Sequence, residues 1–219
     1  MTPARGSHWL VLIAVAAGLL VAVVAFNSTR WIGMTFPGFL LMPNRVVPSI
    51  ALPDWEAASS ETLFQHQVIA LDGAPVETAD EVYRVVGESA PGTVHRYRMR
   101  SPTGRISTLE ARARRFSGLE YGLLFGAYLS TGLAFFLTGL VVVWLKRSPA
   151  SFGLLVQCLT TGVFIVTAVD LYGPHWFFRV HVIAESMLAA GFIHLALVFP
   201  TDLGTLRFIA AARSLAAQT

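Results

Sequence analysis

The chain alternates long uncharged runs with one long polar stretch. Residues 9–26 (WLVLIAVAAGLLVAVVAF) carry no charge over 18 positions, which at 1.5 Å per residue approaches the roughly 30 Å hydrocarbon core of a bilayer. Three further apolar runs, 121–145, 152–172 and 176–199, are separated only by 146–151 and 173–175, and such short links imply antiparallel neighbours. The pattern predicts four transmembrane helices, preceded by a terminus at 1–8 and followed by a tail at 200–219. A cleaved signal peptide competes for the first run because Arg5 supplies a basic flank, but AVVAFN at its end lacks a small-x-small site. An uncleaved anchor is expected.

Between the first two runs, residues 27–120 read as a folded insertion. A β-rich stretch at 46–52 precedes a strand at 68–71, broken by Asp72-Gly73 as a tight turn. Thr78 with Glu81 three residues on is a capping box, and Ala79, Val82, Tyr83 and Val86 recur at helical spacing until Gly87 and Pro91-Gly92 stop the helix. Residues 94–100 (VHRYRMR) alternate, 101–104 (SPTG) turn and 105–113 alternate again, a β-hairpin. The expected fold class is a four-helix membrane protein with an α+β domain inserted between its first and second helices.

Composition agrees: 54% of the 219 residues are hydrophobic and 13% charged, a balance that calls for lipid cover. The net charge is +3, yet the insertion carries ten basic and ten acidic residues, so the surplus sits at the membrane edges and speaks against nucleic acid. Arg5, Lys146, Arg147, Arg207 and Arg213 flank the apolar runs on one side, which places the termini in the cytoplasm and the insertion outside. Trp9, Trp31, Tyr121, Trp144, Tyr172 and Trp176 lie at run ends, where interfacial anchors are expected. Cys158 is the one cysteine, so neither an intrachain disulfide nor a multi-cysteine metal cage can form.

Ionisable groups inside apolar runs need partners or water. Asp170, His181 and Glu185 form the candidate polar cluster, near the outer boundary, either as a pH- or metal-sensitive group or as interhelical hydrogen bonds. His194 falls nine residues after Glu185, on the other side of an ideal helix. No HExxH, Walker loop, GxGxxG or GxSxG string occurs. Neither catalysis nor a metal or cofactor is expected.

The order of VIALDGAPV (68–76), the helix at 78–89 and APGTVHRYRMR (90–100) resembles the C-terminal half of bacterial PDZ domains, over about residues 60–115. That resemblance implies recognition of an extended peptide by strand addition beside the helix. Phe36, Gly38 and Phe39 of the FPGF string (36–39) would form the terminus-binding loop, with Val82, Val85 and Val86 lining the groove. The alternatives are that Pro37 and Gly38 turn the chain off the membrane and that two of the three valines pack the core. Arg96, Arg98 and Arg100 share a strand face, as a stripe for an anionic ligand or as a charged edge that discourages strand addition.

The string HLALVFP (194–200) resembles a segment of the membrane regions of bacterial sensor proteins, including sensor histidine kinases, in which a cytoplasmic output domain follows. Here residues 203–215 carry Arg207 and Arg213 without such a domain, implying a fragment, a stand-alone subunit, a tail lying at the interface or the start of another span. Together the resemblances imply a non-enzymatic sensory or receptor module of the bacterial inner membrane. Its partners would be lipid, a peptide or envelope protein, and a cytoplasmic output domain or kinase. A membrane-anchored adaptor, or an intramembrane enzyme or transporter built on Asp170, His181 and Glu185, are the alternatives.

Overall fold

The structure, a computed structural model, describes residues 8–56, 63–173 and 175–198. Its helices are α1 (His8–Ser28), α2 (Ala79–Gly87), α3 (Gly118–Leu145), α4 (Pro149–Ala168, continued by a 3-10 turn at Val169–Tyr172) and α5 (Phe178–Val198). All but α2 belong to segments long and apolar enough to cross a membrane. The chain divides into two compact units, one helical and one bearing the sheet, with divisions inside α1 after Val24, inside α3 after Ala127, and around 169–176, which belongs with the sheet.

In the helical unit α4 is the central element, since 56% of its most apolar window is buried against 11–22% for the other three. Glycines make this close approach feasible. A Cβ on Gly162 would lie 2.5 Å from the Phe136 ring of α3, one on Gly139 would lie 2.8 Å from Cys158, and one on Gly191 of α5 would strike Gln157. Leu10 of α1, Val143 of α3 and Leu155 of α4 form a further buried cluster. Leu12, Leu19, Leu137, Ile183 and Ile193 are each more than half exposed, so this unit turns apolar side chains outward as well as inward.

The sheet-bearing unit begins at the end of α1 with a 3-10 turn at Thr29–Trp31. Strand β1 (Thr35–Phe36) pairs antiparallel with β6 (Arg114–Arg115). The larger sheet has the order β3-β2-β4-β5, built from β2 (Gln67–Leu71), β3 (Ala74–Pro75), β4 (Val94–Arg100) and β5 (Ile106–Arg112). The predicted Asp72-Gly73 turn joins β2 to β3 with positive φ at both residues, +49° and +88°, the geometry of a type I′ hairpin. The capping box at Thr78 and Glu81 starts α2, and the β4–β5 hairpin pairs from Val94↔Arg112 to Arg100↔Ile106.

Two expectations are corrected. The stretch 46–52 forms no strand among the described residues and makes a single bridge, Val46↔Gln67, because Pro43, Pro48 and Pro53 supply no N–H for a ladder. Trp31 and Tyr172 are not interfacial anchors exposed at run ends but core residues, 1% and 5% exposed. Trp31 packs edge-on against Tyr83 at 5.0 Å and against Phe116 at 5.5 Å, and Phe125 stacks between Phe116 and Tyr172. Phe125 itself lies in a π-helical turn of α3, Gly122–Gly126, an irregularity that apolar patterning cannot report.

Candidate functional site

The surface that strand addition would use lies between the FPGF segment and α2. β1 ends at Phe36, and Gly38 turns the chain with φ +82°, a conformation open to glycine. Residues 39–41 then run on with Phe39, Leu40 and Leu41 fully buried. Phe36 packs against Trp55 and Phe116, and Phe39 against Tyr97, with centroid separations of 5.0–5.4 Å. Val82 and Val86 are fully buried and Val85 is half-buried. Of the six residues marked for peptide contact, only Val85 therefore reaches solvent; the two phenylalanines, Gly38 and the other two valines face inward.

Tyr83, one turn into α2, bridges this surface. Its hydroxyl accepts the Leu41 N–H at 2.6 Å and lies 3.4 Å from the Leu41 carbonyl oxygen. An added strand needs free N–H and C=O groups on the receiving edge, and at Leu41 both face an internal partner. Burial pushes the Tyr83 phenol well above its ordinary range, so it acts as a neutral hydroxyl.

At the other end of α2 a polar node was not foreseen from sequence. His95 of β4 is buried, its Nδ1 2.7 Å from Asp72 Oδ2 and its Nε2 3.0 Å from Ser89 Oγ. These distances have the form of a nucleophile–base–acid relay, but the Ser89 hydroxyl donates to the Val86 carbonyl at 2.7 Å. With its proton directed there, the Ser89 hydroxyl is not poised as a nucleophile toward His95. The arrangement is a clasp joining the β2–β3 turn, β4 and the end of α2. Partial burial pushes the Asp72 carboxyl up, but the Arg96 N–H, the His95 hydrogen bond and the attraction of His95 outweigh it and hold it below the ordinary range. The sequence signal was faint: Asp72 read as a turn residue, and His95 as one position of an alternating strand.

Arg96, Arg98 and Arg100 do share the exposed face of β4, while His95, Tyr97 and Met99 point inward. Arg96 pairs with Glu110 on β5 at 2.9 Å, an exposed contact worth about 0–1 kcal/mol.

The intramembrane candidates are placed as follows. His181 of α5 sets its Nδ1 3.1 Å from both the Phe164 carbonyl and Thr167 Oγ1 of α4, with its ring stacked on Phe164 at 4.6 Å. Because Thr167 donates to the Val163 carbonyl, Nδ1–H is the donor to α4, and His181 pins two helices together. Glu185 is exposed one turn on. Asp170 lies in the sheet-bearing unit, in the 3-10 turn after α4, and is 4% exposed. Among the described residues no three His, Cys, Asp or Glu side chains converge where a metal ion could be held. Of HLALVFP, residues 199 and 200 lie outside the described residues, as does the tail to 219.

Compared with known proteins, the chain matches no family model and no curated protein.

Proposed function

We propose that the chain is a non-enzymatic receptor module of the bacterial cytoplasmic membrane, crossing it four times, whose PDZ-like domain outside recognises a peptide or envelope protein and biases the packing of the helices. The observation that carries this reading is continuity: the chain passes from the helical unit to the sheet-bearing one within α1 and back within α3. A change of shape around β1, β6 and α2 then acts on two helices at once, and a ligand that favours one shape shifts the population of helix packings. Because Tyr83 and Leu41 are joined, recognition by strand addition at that position requires α2 to release the 39–41 segment, and ligand binding and shape change become one event.

The test is a labelling map in intact cells, with Cys158 replaced by Ala and single cysteines at Ser107 on β5 or Ser148 in the 146–151 connector. An impermeant reagent should label Ser107→Cys and spare Ser148→Cys. Labelling of Ser148→Cys with Ser107→Cys protected would put the sheet-bearing unit in the cytoplasm and sink the external receptor. An adaptor without signalling is separated by a disulfide scan between α3 and α4: for a receptor, crosslinking rates change when Tyr83→Phe loosens α2; for an adaptor they do not.

A further inference from the structure

A cavity of about 240 Å³ opens within the sheet-bearing unit where the 3-10 turn at Thr29–Trp31, the first turns of α2 and the 3-10 turn after α4 meet. Trp31, Tyr83 and Tyr172, all nine-tenths buried or more, line it, and Arg30, Arg84 and Asp80, all exposed, complete it. Two guanidinium groups against one carboxylate leave the cavity with a net positive charge.

Three details show that the opening is suited to an anion. The Trp31 side chain is 1% exposed, yet its Nε1–H has no acceptor among the described residues, and a buried N–H without a partner is rare in a folded protein. The Tyr83 hydroxyl is committed to Leu41. Gly173 keeps the Arg30 side open: its φ is +120°, and a Cβ there would come within 2.9 Å of an Arg30 guanidinium nitrogen. Arg84 has one ion pair, to Glu88 at 3.3 Å, with both side chains more than 60% exposed, and such a contact is easily exchanged for a better acceptor.

We infer that this cavity is a binding site for a phosphate-type anion, carried on a lipid headgroup or free in solution. Guanidinium groups match phosphate oxygens with paired, charge-assisted hydrogen bonds, and the Trp31 indole in the cavity wall lies close enough to report an occupant. The lipid source rests on the membrane reading above: Arg30 and Tyr172 lie at the ends of two of the membrane-length segments, His8–Trp31 and Pro149–Tyr172, where headgroups would be found. The free-anion source does not depend on that reading.

The experiment uses the full chain in phosphate-free maltoside micelles with ¹⁵N-labelled tryptophan, the Trp31 indole resonance assigned by its loss in Trp31→Phe. Inorganic phosphate and dihexanoyl phosphatidylglycerol are titrated separately. The expected result is a saturable shift of the Trp31 indole N–H with at least one probe, weakened at least tenfold in Arg30→Gln and in Arg84→Gln while the other four indole signals stay in place. A response to phosphate alone assigns a free anion, and one to the lipid alone a headgroup. No shift with either probe, or a shift that both arginine variants retain, overturns the site. If the labelling map fails while phosphate still moves Trp31, the membrane reading falls and the anion site stands.

Discussion

At the scale of single residues, two buried hydrogen-bonding groups fix how the sheet-bearing unit closes. Tyr83→Phe removes the acceptor of the Leu41 N–H and leaves that donor buried, a loss of about 1–3 kcal/mol. Amide exchange at Leu41 should speed up by one to two orders of magnitude, and an unchanged rate would show that the hydroxyl does not hold 39–41 against α2. Asp72 gives a dependence on pH whose sign follows from its depressed carboxyl. A group held below its unfolded value contributes stability above that value, roughly pH 4, and loses it as pH falls through the lower folded value. Asp72→Asn should therefore lower the thermal midpoint at pH 7, with the gap to the parent chain narrowing below pH 4. A gap as wide at pH 3 as at pH 7 would mean that the Asp72 charge contributes nothing to the clasp.

At the scale of elements, what could be read from sequence was what depends on local pattern. The capping box at Thr78 and Glu81, the Asp72-Gly73 turn and the β4–β5 hairpin are each written in a few adjacent residues, and each is present. The long apolar runs likewise become helices, α1 extending to Ser28 and α3 beginning at Gly118. Contacts distant along the chain were not legible. FPGF looked like a surface loop because nothing nearby reveals that Trp55 and Phe116 will cover Phe36, and Trp31 looked like an anchor because its neighbours Tyr83 and Phe116 are more than 50 residues away. The glycines of the helical unit belong to this scale too. Gly162→Val places carbon against Phe136 and should cost about 1–3 kcal/mol by overpacking, read as a lower midpoint in denaturing-detergent titration. Gly18→Val, where nothing lies within 4 Å, should change stability by about 0.5 kcal/mol or less and leave the midpoint nearly in place. Equal effects at the two sites would argue against α4 as the packed centre.

At the scale of the whole molecule, the core of the sheet-bearing unit is not built from the loop's own residues alone. The sheet-bearing unit includes Ala25–Ala127 and also Val169–Trp176, so the expected domain at 27–120 omits part of its core. Phe125 stacks on Phe116 on one side and on Tyr172 on the other, and both Phe125 and Tyr172 lie outside 27–120. Cutting the chain at those bounds removes two rings and bares Phe116 and Trp31, which in the intact chain are 0% and 1% exposed. Losing one buried aromatic ring from a core costs about 3–5 kcal/mol, a large part of the 5–15 kcal/mol by which a domain is stable. A fragment of residues 27–120 should therefore bind a hydrophobic dye, give weak near-ultraviolet dichroism and unfold without a sharp denaturant transition. A fragment of residues 25–127 joined through a short flexible linker to 169–176 should recover a cooperative transition, and should lose it again on Tyr172→Ala. A 27–120 fragment that unfolds as cooperatively as the linked one would show that the strands and α2 suffice by themselves. It would also remove the reason to expect α4 to respond when this unit changes shape.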